Sequence, residues 1–348
     1  MQNGQMHMKN SVKYCLKTNN KIGLLYFAGC VLLAVAFISG LLLGGTQIAF
    51  SNLYKALSEG INSSAEARIL YYVRLPRTLA SLVCGAALSV SGAVIQGVLA
   101  NRLASPSVIG VNAGAGVAVT VCTALGIYGG FRLSLFAFLG AFISVMLVSL
   151  GAKKWGASRG TVILIGVAMN SFLGAVSDSI VTFIPDVGVM SNDFKVGEFS
   201  AVTYQKLIPA AVIIVISVAI LLTFNNELDV LMLGEDNAKG LGMNTSLMRT
   251  GFLLLSALLA GCAVSLAGLL SFVGLIIPHA VRRIAGGKSS ELLGLCALFG
   301  AAFVSLCDTV ARTAFSPYEI PVGIIMAFLG APFFVFILIK GKGGHSRD

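Results

Sequence analysis

Ten long apolar stretches alternate with short polar connections along this chain of 348 residues. They run Ile22 to Leu43, Thr78 to Leu99, Ser107 to Ile127, Leu133 to Leu150, Val162 to Ile184, Leu207 to Phe224, Thr250 to Ala267, Leu269 to Ile284, Leu292 to Val310 and Val322 to Ile339. A helix needs about 20 mainly apolar residues to cross a bilayer core, and in lipid the backbone must satisfy its own hydrogen bonds. The pattern predicts an all-α, polytopic membrane protein of about ten transmembrane helices. The eighth stretch is short and bears Gly and Pro, so a tilted, broken or re-entrant segment is expected there. The first follows a Lys-bearing tail and is too long for a signal-peptide core, which makes it a span. Residues 1–21 then form an N-terminal tail, 22–340 one membrane domain, and 341–348 a C-terminal tail.

Small residues fall at helical spacing within three of these stretches. Gly85, Ser89, Ala93 and Gly97 share one ridge, as do Gly110, Gly114 and Ala118, and Gly323, Ala327 and Ala331. Such ridges let helix backbones meet closely in lipid, where van der Waals contact replaces the missing hydrophobic drive. A compact bundle follows. Stretches two to five and seven to ten start from opposite sides, the arrangement of an inverted repeat.

Composition strengthens this picture. Hydrophobic residues make up 57% of the chain and charged ones only 11%, against about 25% in a soluble domain. The formal net charge of +10 does not indicate nucleic-acid binding, because the basic residues are spread through short loops rather than gathered on one face. With an even number of spans both termini lie on one side. If that side is cytoplasmic, 16 of the 24 Lys and Arg residues are inside and 8 outside, in accord with the positive-inside rule. Six of the seven cysteines lie in or beside apolar stretches without CxxC spacing and read as small hydrophobes, not as metal ligands.

Two connections exceed simple turns. The outer one, Gly45 to Arg77, contains Asn62-Ser63-Ser64 with Glu59 and Glu66. The inner one, about 225–249, contains Gly234-Glu235-Asp236-Asn237-Ala238-Lys239-Gly240-Leu241-Gly242. Acids begin this string and glycines end it, which predicts a short helix with a dipole-matched start and a left-handed stop. Asn244 or Thr245 is placed to cap the seventh span. Such a helix on the inner face can pass motion to a partner; a plain solvated connection is the alternative.

Three arginines stand at the outer face. Arg74 and Arg77 flank Leu75-Pro76, and Arg312 ends the ninth span. Each alone reads equally well as an anchor reaching to lipid headgroups; the alternative for the cluster is a receptor for carboxylates of a soluble delivery protein. Ser316-Pro317-Tyr318-Glu319 has capping-box form and predicts a short outer helix. Within the spans, Gln96, Asn112, Asn170, Asp178 and Asp308 are the polar candidates. Asp178 and Asp308 fall toward the outer ends, where water is near, and Asp308 can pair with Arg312 at i+4. No carboxylate lies at mid-depth with an evident partner, which argues against proton or sodium coupling. His279 beside Pro278 reads as a structural helix-end residue before a metal ligand. Gly286-Gly287-Lys288-Ser289 resembles the end of a phosphate-binding loop, but Arg282 occupies the position of its first glycine and an apolar helix precedes it.

Several strings resemble the FecCD-type permeases, the membrane subunits of ABC importers for ferric siderophores, haem and vitamin B12. They are Arg74-Leu75-Pro76-Arg77-Thr78-Leu79-Ala80, Gly85 through Gln96, Gly110-Val111-Asn112-Ala113-Gly114-Ala115-Gly116, Gly234-Glu235 with Ala238 and Leu241-Gly242, and Phe272 through His279 followed by Arg282. Asp308, Arg312, Glu319, Pro321, Gly323 and Gly330-Ala331-Pro332-Phe333-Phe334 continue the series, so the resemblance spans Arg74 to Lys340 in order. It implies a type II ABC importer permease that binds no cofactor itself and pairs with a second permease copy, identical or paralogous, around a central path. Two cytoplasmic ATPases would use ATP and grip Gly234, Glu235, Ala238, Leu241 and Gly242. An extracytoplasmic binding protein would dock on Arg74, Arg77 and Arg312. Gln96, Asn112, Gly114, Pro278 and His279 would serve the path or helix packing. The expected location is a bacterial cytoplasmic membrane with both termini inside, and the expected cargo an iron–siderophore complex, with haem or cobalamin as alternatives. The chain departs from the family at Asn101-Arg102-Leu103-Ala104, which lacks the usual proline, and at Phe194, where Trp is common.

Overall fold

The computed structural model describes residues 2–44, 61, 64–154 and 159–342. The readings on Glu59, Asn62, Ser63 and residues 343–348 lie outside them. The elements are α1 (Gln2–Leu42), α2 (Ala65–Val98), α3 (Val111–Ala124), α4 (Gly130–Lys154), α5 (Arg159–Phe183), α6 (Pro185–Met190), α7 (Asn192–Val196), α8 (Tyr204–Thr223), α9 (Asn225–Met232), α10 (Glu235–Gly240), α11 (Thr245–Ala267), α12 (Val273–Ala285), α13 (Ser289–Thr313) and α14 (Val322–Lys342). Each apolar stretch becomes a helix. Among the described residues seven are long and apolar enough to cross a membrane, namely α1 from Lys21, α2, α4, α5, α8, α11 and α13, while α3 and the stretch Val322–Phe336 of α14 are apolar but shorter. Helix α1 also continues back through the segment read as a tail.

The eighth stretch is broken. Helix α12 has 13 residues, or roughly 20 Å at the usual helical rise, less than the bilayer core. Non-helical backbone precedes it, with Phe272 in the left-handed region at φ 67°. Irregular backbone at this depth needs protein partners. It has them: Leu269 N–H donates to Phe194 O at 2.9 Å and Glu198 N–H to Ala267 O at 2.8 Å. Phe194 thus contributes through its backbone, and Gly323 N–H joins the same knot through Gly197 O at 3.1 Å.

Helix α2 is the axis of the bundle, packed on α11, α12 and α13. It starts at Ala65, well before Thr78, because Ser64 Oγ accepts from Ala67 N–H at 3.0 Å and caps it. The turn Leu70–Arg74 is π-wound just before Pro76, which has no N–H for the regular ladder. The small-residue ridge works as expected: Gly85 lies against the Gly300 carbonyl, and Ser89 Oγ donates to Cys296 O. Gly92 meets Gly274 of α12 so closely that any side chain at either position would strike backbone. Gly114 meets Gly140 and joins α3 to α4 in the same way. On α14 Gly323 packs on Val196 O, but Ala327 and Ala331 are exposed, so that ridge is only partly used within the chain.

The outer helix expected at Ser316-Pro317-Tyr318-Glu319 does not form. Residues 314–317 are turns, and Ile320 N–H folds back to Ala311 O at 3.1 Å. A capping box needs the Glu319 carboxylate for its own backbone; here Arg77 takes it at 2.7 Å.

Candidate functional site

The inner connection is a braced platform. Gly234 at φ 111° opens α10 and Gly242 at φ 82° follows its end, conformations that only glycine adopts readily. Ala238 is fully buried beneath it. Asn244 caps α11 by accepting from Leu247 N–H at 3.1 Å. Three ties fasten the segment to long helices. Glu235 pairs with Arg249 of α11. Arg159, the first residue of α5, donates to Leu231 O of α9 at 2.8 Å. Asp229 of α9 accepts from Ser289 N–H at 3.0 Å and Ser289 Oγ at 2.6 Å, taking up donors at the N-terminus of α13 as a capping residue would. Against this fixed base, Leu233 and Leu241 are 63% and 67% exposed. Neither the Asp229 tie nor the Glu235–Arg249 pair was visible in the sequence, since each joins residues on separate helices.

The arginines at the opposite end of α2 occupy buried positions. Arg74, Arg77 and Arg312 are 3%, 7% and 3% exposed. Arg77 grips Asp308 with Nη2–Oδ1 at 3.0 Å and Nε at 3.2 Å from both carboxylate oxygens, and reaches Glu319 from Nη1. Arg312 lies on the other side of the same carboxylate, Nε to Oδ2 at 3.2 Å. The i+4 pair expected for Asp308 is present. Interfacial water is not its environment, for Asp308 is 1% exposed and lies between two guanidiniums. Arg74 donates to Leu41 O and Leu42 O at 2.7 Å, and Arg312 to Gly40 O at 3.2 Å. Both satisfy carbonyls at the C-terminus of α1, where cations are favoured. The docking expectation calls for outward-facing cations; these side chains hold α1, α2 and α13 together.

The mid-chain polar residues divide by role. Pro278 cannot donate to Gly274 O one turn earlier, and Gln96 Nε2 fills that vacancy at 3.1 Å. Gln96 and Pro278 are therefore two halves of one helix-packing joint, beside the Gly92–Gly274 contact. Arg282 extends the joint by donating to Ala93 O at 3.1 Å. His279 meets the Phe333 ring edge-on at 6.4 Å, linking α12 to α14. Asn170 Nδ2 donates to Ser107 O and Val108 O, fixing the turn before α3, and Asn112 lies half-buried in the first turn of α3. In the loop without its proline, Asn101 Oδ1 accepts from Leu103 N–H at 2.9 Å and shapes the turn instead. Asp178 is exposed on α5, on a stripe with Leu164, Ala168, Ser171, Ala175 and Thr182.

An all-helical bundle of apolar spans, with a braced platform at one end and a buried ion cluster at the other, is the architecture of a transport permease. The chain belongs to the FecCD transport family, whose model matches residues 32–340. It is 34% identical over 316 residues to the Fe(3+)-citrate import system permease protein YfmD of Bacillus subtilis, covering 90% of this chain and 94% of that one. It is 35% identical over 281 residues to the vitamin B12 import system permease protein BtuC of Vibrio cholerae, covering 80% and 85%. A solved inward-facing structure of a metal-chelate type ABC transporter matches with a TM-score of 0.80 at 30% identity, over 91% of this chain and 99% of that chain.

Proposed function

We propose that this chain is the membrane-spanning subunit of an importer that carries iron–siderophore complexes by alternating access, powered by ATP hydrolysis in separate subunits seated on α9 and α10. The observation that carries this reading is the platform itself. Leu233 and Leu241, both exposed, flank α10 on a segment that α9 and α10 together fasten to α5, α11 and α13, so a partner that moves the platform moves three long helices with it. ATP acts by preferring one state of the partner, because a ligand shifts a conformational balance only by its difference in affinity between the states. Beyond Leu164, the exposed α5 stripe of Ala168, Ser171, Ala175, Asp178 and Thr182 is small and polar and supports a second permease copy, since such residues suit close helix contact or a polar path and not lipid.

An extracytoplasmic binding protein would deliver the cargo at the Arg77 end. Its carboxylates would reach Arg77 by displacing Glu319, whose side chain is 43% exposed, and not by meeting a bare cation. Orientation follows from the charge split, with both termini in the cytoplasm of a bacterial cell. In a background free of native cysteines, a cysteine at Ala65 should react with an impermeant maleimide added outside, and one at Lys239 should not. The reverse pattern would invert the topology.

Cargo is tested with the reconstituted permease, ATPase and binding protein. Ferric siderophores should be taken up about tenfold faster than cobalamin or haem, a difference of about 1.4 kcal/mol. Faster uptake of cobalamin would transfer the assignment to the activity named for the Vibrio cholerae relative.

A further inference from the structure

A groove of about 210 Å³ runs between α1, α12 and α13 and is lined wholly by apolar side chains. Leu25 and Leu32 form one wall, Ile277 and Ile284 the second, Phe299 and Phe303 the third. Two of its walls belong to the membrane-spanning helices α1 and α13, so the solvent available to fill it is hydrocarbon. An apolar space of this kind holds no ordered water, which needs polar partners.

The stripes that line the groove also say what stands at its mouth. On α1 the series backwards from Leu32 and Leu25 reaches Lys21 one turn earlier, where the span begins. On α13 the series Leu306, Phe303, Phe299 and Leu295 reaches Lys288, the residue that precedes the helix. Both lysines are exposed. Glu291, half-buried one turn into α13, and Asp229, which holds Ser289, are acids at this end, against Lys21, Lys288 and the Arg282 and Arg283 that end α12, so cations are in excess. An apolar slot at membrane depth with lysines at the headgroup level matches an acyl chain carrying an anionic headgroup.

The neighbouring surface separates this occupant from a second copy of the chain. Around the groove α1 presents Leu24, Phe27, Val31, Val35 and Ile38, large side chains between 47% and 68% exposed. That is a lipid-facing surface. The small and polar stripe suited to protein lies elsewhere, on α5.

We infer that the α1–α12–α13 groove is a binding site for one acyl chain of an anionic phospholipid, with Lys21 and Lys288 holding the phosphate. The site touches function through α12, which joins the bundle axis by the Gly274–Gln96 contact and closes one wall of the groove.

The test uses the full chain in vesicles containing phosphatidylglycerol or phosphatidylcholine with a diazirine on the acyl chain. After illumination, adducts are mapped by peptide mass spectrometry. Adducts should concentrate on the α1 and α12 peptides that line the groove, with phosphatidylglycerol favoured over phosphatidylcholine. Ala280→Phe, which fills the groove, should abolish them. The exposed double variant K21Q/K288Q leaves packing intact and should cut the phosphatidylglycerol preference by about fivefold for each lysine. Adducts spread evenly over α1, α5 and α8, or undiminished in Ala280→Phe, would overturn the site. Equal labelling by the two lipids in the parent protein would overturn the anionic headgroup. Protection of the groove by cross-links to a second copy would replace lipid by protein as its occupant.

Discussion

Asp308→Ala should lower unfolding stability by about 3–5 kcal/mol, the usual cost of breaking a buried ion pair from one side. The carboxylate is 1% exposed and lies between Arg77 and Arg312. Its removal leaves two like charges buried together, with Glu319 the remaining acid of the cluster. Glu319→Gln should change stability by less than about 1 kcal/mol, because its carboxylate is partly solvated. Thermal unfolding in detergent, followed by intrinsic fluorescence, reads both. A parent-like midpoint for Asp308→Ala would mean that water reaches the arginines and that the cluster does not fasten α1, α2 and α13. The same logic makes charge reversal at Arg77 a poor test of docking, since it would strike the fold first. Glu319→Gln is the better docking probe, because it changes the exposed member only.

Replacing Glu235 and Leu241 together should reduce ATP-dependent uptake by about tenfold or more while leaving insertion unchanged. The two residues act at different points. Leu241 is exposed apolar area that, in the proposed assembly, the ATPase would cover, and Glu235 fixes α10 to α11 through Arg249. Loss of one interface anchor commonly costs about 2 kcal/mol, which is about 30-fold in affinity. Co-purification of the ATPase then separates the roles. Leu241→Ala should weaken retention, whereas Glu235→Gln should retain the ATPase yet uncouple hydrolysis from uptake. Full uptake and retention in the double variant would remove the platform from the coupling path.

What the sequence revealed and what it concealed divide along a physical line. A helix at each of the ten apolar stretches was legible, because the cost of exposing backbone to lipid forces long apolar runs. The start of α2 was not, since Glu66, Arg68 and Arg74 interrupt the apolar signal while the Ser64 cap extends the helix past them. Local motifs at α10 and Asn244 were legible too, because caps and glycine stops depend on neighbours in sequence. Partners far apart in the chain were hidden. Arg77 and Asp308 are 231 residues apart, and nothing in their spacing indicates that an outward arginine turns inward. Glu319 shows the conflict most plainly: a capping-box pattern is overridden by a stronger charge-assisted bond from Arg77. The Gln96–Gly274 joint was likewise hidden, although Pro278 signalled that some carbonyl one turn away would need a donor.

Transport measured in vesicles is the most direct test of the central claim. Permease, ATPase and binding protein are reconstituted with a ferric siderophore on the binding-protein side and ATP on the platform side. Uptake should require all three components and hydrolysable ATP, and should persist when protonophore and ionophore collapse every ion gradient. Uptake by the permease alone, driven by a proton or sodium gradient and indifferent to ATP, would contradict the account.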